Sequence, residues 1–151
     1  MKLLVQRSKK STVKIDGKLV GEISKGFVVL VGFTHTDTEE IIKRMIDKLI
    51  NLRVFEDENG LLNLSLLDTK GEILSISQFT LYANASKGRR PSFIDAMRPE
   101  EANKLYDIFN EELRKLNIKT ETGKFGADMK VEIYNDGPVT IMLDSKELFN
   151  M

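Results

Sequence analysis

The chain has 151 residues, with 23 basic and 23 acidic side chains and no cysteine. That length suits one domain with a continuous core that needs neither disulfides nor metal. Zero net charge leaves no global field toward nucleic acid or a membrane surface, and no apolar run approaches the roughly 18 to 20 residues of a membrane helix. Met1 to Arg7 is too short an apolar run for a signal peptide and lacks a small-residue cleavage site. With no cysteine to oxidise, the reading is a soluble, cytoplasmic, single-domain protein spanning residues 1–151.

Along the chain, Val13 and Ile15 alternate with polar neighbours, and Asp16-Gly17 predicts a hairpin turn before Leu19 to Ile23. Phe27 to Phe33 is apolar on both faces, which predicts a central strand covered on both sides. Asp37 or Thr38 is placed to cap a helix, with Glu39 and Glu40 favourable in its first turn. Within that helix Ile42, Met45, Ile46 and Leu49 recur at helical spacing and mark one buried stripe. Glu58-Asn59-Gly60 reads as a turn and Glu72 to Leu81 as another buried strand. Pro99 suits the first turn of a second helix, whose apolar face runs through Ala102, Leu105, Tyr106, Phe109, Leu113 and Leu116. Two closing strands, about Met129 to Tyr134 and Val139 to Leu143, flank Asn135-Asp136-Gly137-Pro138. The pattern amounts to a mixed sheet covered by two main helices.

Conventional catalytic side chains are scarce. With one histidine, His35, and no cysteine, a Cys/His zinc site is out of reach, while a carboxylate-held Mg²⁺ stays open. A Ser-His-Asp triad would have to use His35, and no G-x-S-x-G elbow accompanies any serine, so His35 reads as a strand-end or loop residue. Neither G-x-G-x-x-G nor a Walker A sequence is present. Lys87-Gly88-Arg89-Arg90-Pro91-Ser92-Phe93 is either a solvated loop or a phosphate grip with two bidentate arginines.

Two segments about 60 residues apart stand out, Ser77-Gln78-Phe79-Thr80-Leu81 and Asn135-Asp136-Gly137-Pro138-Val139-Thr140. In the first, Ser77, Gln78 and Thr80 are either routine polar positions of an alternating strand or, with main-chain N–H groups, the surround of a polarised carbonyl. In the second, Gly137-Pro138 is either a tight hairpin turn or a rigid unit that presents carbonyls with no side chain in front of them.

The chain resembles the D-aminoacyl-tRNA deacylase family nearly end to end. The resemblance is carried by Val5-Gln6-Arg7, Asp16-Gly17 with Val20 to Ile23, Leu52-Arg53-Val54-Phe55 with Asn63-Leu64-Ser65, Ser77 to Leu81, Lys87 to Phe93, Thr122 to Met129 and Asn135 to Thr140, in this order and spacing. Ser8, Ser11 and Leu62 depart from the family pattern, outside both site segments. The fold expected is α/β, a mixed, mostly antiparallel, barrel-like sheet packed with two main helices in a single domain that forms a homodimer. The resemblance implies hydrolysis of the ester joining an amino acid to the terminal adenosine of tRNA, at two sites on the subunit interface. A cis Gly137-Pro138 from the partner subunit would orient the α-amino group so that an L side chain collides while a D side chain points to solvent. Glycine on tRNA-Ala would escape rejection, having no handedness. Ser77, Gln78, Phe79 and Thr80 would form the catalytic segment. Thr80 would be either a nucleophile or a positioning group, and positioning is favoured because no base for it is evident. Arg7, Lys87, Arg89 and Arg90 would meet phosphates of the acceptor end. No cofactor, metal, DNA or membrane partner is expected. The rival readings are an RNA-binding module, a structural dimerisation domain and a metal hydrolase.

Overall fold

A computed structural model describes residues 1–151. Its centre is strand β4 (Gly26–Gly32), whose side chains are apolar in both directions and buried on both faces. β4 lies in a five-stranded sheet of order β10-β1-β4-β7-β8, built from β1 (Lys2–Ser8), β7 (Glu72–Ser77), β8 (Thr120–Thr122) and β10 (Asn135–Asp144). Toward β1 and β10 the pairing is antiparallel, and toward β7 and β8 it is parallel. The parallel half exists because β4 and β7 are joined by a long crossover that carries α1 (Glu39–Asn51), the short hairpin β5 (Phe55–Glu56) and β6 (Leu62–Leu64), and α2 (Leu66–Thr69).

One face of the sheet packs against α1 and α3 (Pro99–Lys115). Leu3, Val5, Phe27, Val29, Val31 and Ile73 point into this layer and meet Ile42, Met45 and Leu49 of α1 and Tyr106, Phe109 and Leu113 of α3. Both helical stripes are where the 3.6-residue period puts them, with Pro99 at the start of α3. Leu116 lies just beyond the last turn of α3 and is half exposed. Thr38 is the cap of α1, its hydroxyl accepting from Ile41 N–H at 3.3 Å. Asp37 is instead buried, accepting from the Met1 α-ammonium at 2.7 Å and from Thr34 N–H at 2.8 Å.

The other face is covered only in part. A three-stranded sheet of order β3-β2-β9, from β2 (Ser11–Ile15), β3 (Lys18–Ile23) and β9 (Lys130–Glu132), sets Val13 and Ile23 against Val28, Leu74 and Ile76. The β10-β1 half of that face stays open, with Leu4 paired to Met142 and Gln6 to Thr140. The expected barrel does not form. Both sheets keep free edges, because the change from one sheet to the other at Ile133–Tyr134 replaces the closing ladder a barrel would need. A last turn, α4 (Ser145–Leu148), ends the fold, and no helix is long and apolar enough to cross a membrane.

Two expected elements differ in their bounds. The strand predicted to run to Leu81 stops at Ser77, and Phe79–Tyr82 forms a single 3₁₀ turn. Gln78 N–H makes the last bond to β4, at 2.8 Å to Val31 O, and the chain then folds back over Gly32. A Cβ at Gly32 would lie 3.1 Å from Gln78 O and from Leu81 Cβ, tighter than an ordinary contact, so glycine lets the turn approach this closely. Nor is Gly137-Pro138 a hairpin turn between two strands. It lies inside β10, while β9 pairs with β2 in the other sheet.

Leu49 is fully buried between the sheet and α3, so Leu49→Ala should cost about 2–5 kcal/mol. Chemical denaturation measures this, and a loss below about 1 kcal/mol would mean that the α1 stripe does not carry the core.

Candidate active site

The 78–82 turn is positioned by the parallel β4–β7 pair, whose ends face the same way. It leaves Phe79 and Thr80 exposed at the sheet end. Gln78 Nε2 donates to Thr80 Oγ1 at 2.6 Å, which fixes the hydroxyl and leaves its own proton available to a ligand. No carboxylate or imidazole contacts Thr80 Oγ1. The single imidazole is held elsewhere, with His35 Nε2 at 2.7 Å from Ile94 O. No cluster of three or more His, Asp or Glu side chains converges anywhere in the fold.

Beside the turn lies an apolar cavity of about 410 Å³, walled by Val31, Phe33, Phe79, Phe93, Met97 and Phe125 with Gln78 at its mouth. A second cavity of about 260 Å³ runs on along Ser77, Gln78, Phe125, Gly126 and Met129. Phe79 and Phe93 meet edge to face at 5.1 Å. The sequence motifs contain Phe93, Phe125 and Met129, but nothing in their spacing marks them as walls of this site. Only the glycines on either side of Phe125, at 123 and 126, signal that its backbone is bent around something.

The second motif is a bulge. On β1 the step from Gln6 to Ser8 is matched on β10 by the whole run from Thr140 back to Asn135, so Asp136 to Val139 loop out of the ladder. Proline is tolerated there because β10 is an edge strand and the bulge needs no ladder donor. The Gly137-Pro138 peptide is cis, and both residues are exposed. Asn135 ties the loop internally, its Oδ1 accepting from Val139 N–H at 2.9 Å and its Nδ2 donating to Thr140 Oγ1 at 2.8 Å.

Arg7 braces the same loop from beneath. Its Nε donates to Asp136 O at 2.8 Å and its Nη1 to Val54 O at 2.9 Å, and the residue is buried. The guanidinium that the sequence suggests for a tRNA phosphate is therefore turned inward onto main-chain carbonyls. Lys87, Arg89 and Arg90 are different, since all three are exposed and none makes an ion pair.

One chain does not bring the two motifs together. The Gly-Pro bulge lies level with Phe27 of β4, whereas the 78–82 turn folds over Gly32. That is about 17 Å along the strands, and the three strand spacings from β10 to β7 add about 14 Å across them.

A single-domain mixed sheet that carries an aromatic-walled cavity beside a hydroxyl-bearing turn is the class of protein this geometry defines. The family model described as "D-Tyr-tRNA(Tyr) deacylase" matches residues 4–144, and the chain belongs to that family. It is 55% identical over 146 residues, 97% of this chain and 100% of the relative, to a protein of Bacillus cytotoxicus named "D-aminoacyl-tRNA deacylase". A protein of the same name from Bacillus cereus is likewise 55% identical over 146 residues, again 97% of this chain and 100% of the relative. A solved structure described as "c-Myc DNA Unwinding Element Binding Protein" superposes with a TM-score of 0.90 at 44% identity, covering 95% of this chain and 98% of that one. Another, described as a probable eukaryotic D-amino acid tRNA deacylase, superposes at 0.82 with 20% identity and the same coverage, a likeness of fold.

Arg7→Ala should cost about 1–3 kcal/mol, because two main-chain carbonyls lose their donor, and should speed amide exchange at Val139. Unchanged stability and exchange would remove Arg7 as the brace.

Proposed function

We propose that this protein is a translational editing hydrolase that cleaves the ester of D-aminoacyl-tRNA, releasing free D-amino acid and tRNA, and that it acts as a homodimer in the cytoplasm. The observation that carries this reading is the separation of the two motifs. Each is solvent-facing and held by its own hydrogen bonds, yet they stand at opposite ends of one sheet. A site that uses both takes Thr80 from one copy and Gly137-Pro138 from another. The open β10-β1 face, with Met142 46% exposed beside half-buried Leu4, is the surface such a pairing would cover.

The substrate's terminal adenosine lies against the aromatic walls near Gln78, where a planar base gains by stacking. The scissile carbonyl faces the main chain of Phe79 and Thr80, since the first N–H groups of a helical turn have no acceptor within it. Thr80, held by Gln78, positions the substrate. It does not attack, because no base is in contact to take its proton. Water, aided by the ribose 2′-hydroxyl, completes the displacement of an ester that is already activated. No cofactor enters the reaction.

Selectivity comes from a clash. Gly137 and Pro138 of the partner subunit offer main-chain carbonyls to the α-amino group, so every D-amino acid binds through atoms they all share. An L side chain meets the pocket wall and is excluded. Glycine has no side chain to collide, so glycyl-tRNA is also hydrolysed. Lys87, Arg89 and Arg90 grip the acceptor-end phosphates.

Incubation with D-tyrosyl-tRNA and L-tyrosyl-tRNA in parallel, with and without EDTA, tests the reading. EDTA-resistant loss of the D ester alone supports it, equal loss of both refutes the screen, and loss of neither refutes the hydrolase. Thr80→Ala should lower kcat by about 100-fold or more while leaving the fold intact, and full activity would take Thr80 out of the site. Gly137 has φ of +140°, and an added Cβ would lie 2.9 Å from Val139 N. Gly137→Ala should therefore depress D-ester cleavage and erode the D/L ratio, and an unchanged ratio would sink the screen.

A further inference from the structure

Residues 83–98 have no helix and no run of ladder bonds, and they line the aromatic cavity through Phe93, Ala96, Met97 and Arg98. This strap carries Lys87, Arg89 and Arg90, and it carries Phe93, which packs on Phe79 of the 78–82 turn. Its own cross-link is one reciprocal main-chain pair between Asn84 and Ser92, at 2.8 Å in each direction. Ala83 N–H ties its start to Thr80 O at 3.0 Å, and local bonds run from Ser86 N–H to Asn84 Oδ1 at 2.9 Å and from Ala96 N–H to Phe93 O at 3.0 Å. Its second half is held by three consecutive residues just beyond β4. Phe33 O accepts from Met97 N–H at 3.0 Å, Thr34 Oγ1 donates to Asp95 O at 2.6 Å, and His35 Nε2 lies 2.7 Å from Ile94 O. A carbonyl only accepts, so His35 carries a proton on Nε2 and donates it. The clamp has a firm base, because Thr34 N–H donates to the buried carboxylate of Asp37.

We propose that Thr34 and His35 are positioning residues for the deacylation reaction. Two adjacent side chains donate to two adjacent carbonyls of the strap, and so set both the Phe93 wall of the cavity and the place of the basic residues. The inference rests on the deacylase reading and adds to it a role for the chain's only histidine. Neither residue touches substrate. Their effect is on where the strap sits, and so on capture of the tRNA end rather than on the chemical step.

The test compares His35→Phe and Thr34→Val with the donor-restoring variants His35→Gln and Thr34→Ser. Both donor-deleting variants should raise KM for D-aminoacyl-tRNA about 3- to 10-fold, the range expected for one net hydrogen bond, with kcat within about twofold of the parent. Amide exchange at Ser92, Ala96 and Met97 should quicken in the same variants, while exchange in β1 and β4 stays unchanged. The Gln and Ser variants should return both readouts toward the parent. Unchanged KM and exchange in His35→Phe and Thr34→Val would overturn the proposal, as would a failure of Gln and Ser to rescue. If the unmodified protein hydrolyses no aminoacyl-tRNA, the deacylase reading fails by itself, and strap exchange then decides the clamp alone, quickened exchange upholding it and unchanged exchange overturning it.

Discussion

Burial of β4 on both faces is the constraint around which the molecule is arranged. Phe27, Val29 and Val31 need one apolar cover and Val28 another, so the sheet carries helices on one side and a second small sheet on the other. Covering the first face sends the chain through α1 before it returns as β7, and that detour makes β4 and β7 parallel. Parallel strands end at the same edge of the sheet, which is why the 78–82 turn can fold over Gly32. β1 runs the other way and β10, antiparallel to β1, runs with β4, so the Gly-Pro bulge near the start of β10 lies at the far edge, level with the start of β4. The distance between the two motifs is thus a consequence of how one strand is buried.

The chemistry offered by this arrangement is mostly main chain and hydroxyl. Gln78 fixes Thr80, aromatic rings wall the cavity, and Gly137-Pro138 stands exposed on a loop that Asn135 and Arg7 tie down by hydrogen bonds. In the proposed dimer such a site would suit a substrate whose ester is already reactive and whose identity is judged by shape. Main-chain groups cannot change their rotamer to accommodate an unwanted side chain, so in the proposed screen a bulge tied down by Asn135 and Arg7 would favour discrimination.

Arg7 stands apart from the other cations expected at tRNA phosphates, because its guanidinium is buried against main-chain carbonyls. In the chain it is one of four cations among the first ten residues, and the family resemblance suggests a phosphate as its partner. Its position on β1, level with the bulge of β10, makes main-chain carbonyls nearer partners than any ligand. The run Glu72 to Leu81 misleads. Its apolar residues continue past Ser77, but Leu81 is turned back onto Gly32 and does not extend the ladder. Gly137-Pro138 looks like a turn because both residues favour turns, and becomes a bulge because β9 and β10 belong to different sheets.

Periodicity and local chemistry were enough for the sequence to determine the helices α1 and α3 with their buried stripes, the doubly covered strand, the Asp16-Gly17 hairpin and the two polar motifs. These are properties of residues within a few positions of one another, where side-chain spacing dictates which face is buried. The tertiary structure alone decided that the sheet stays open, that Phe93 and Phe125 wall the same cavity, that Arg7 is a brace and that His35 fastens a strap. Each of those depends on strand order and register, which bring together residues far apart in the chain, and no local pattern encodes that pairing.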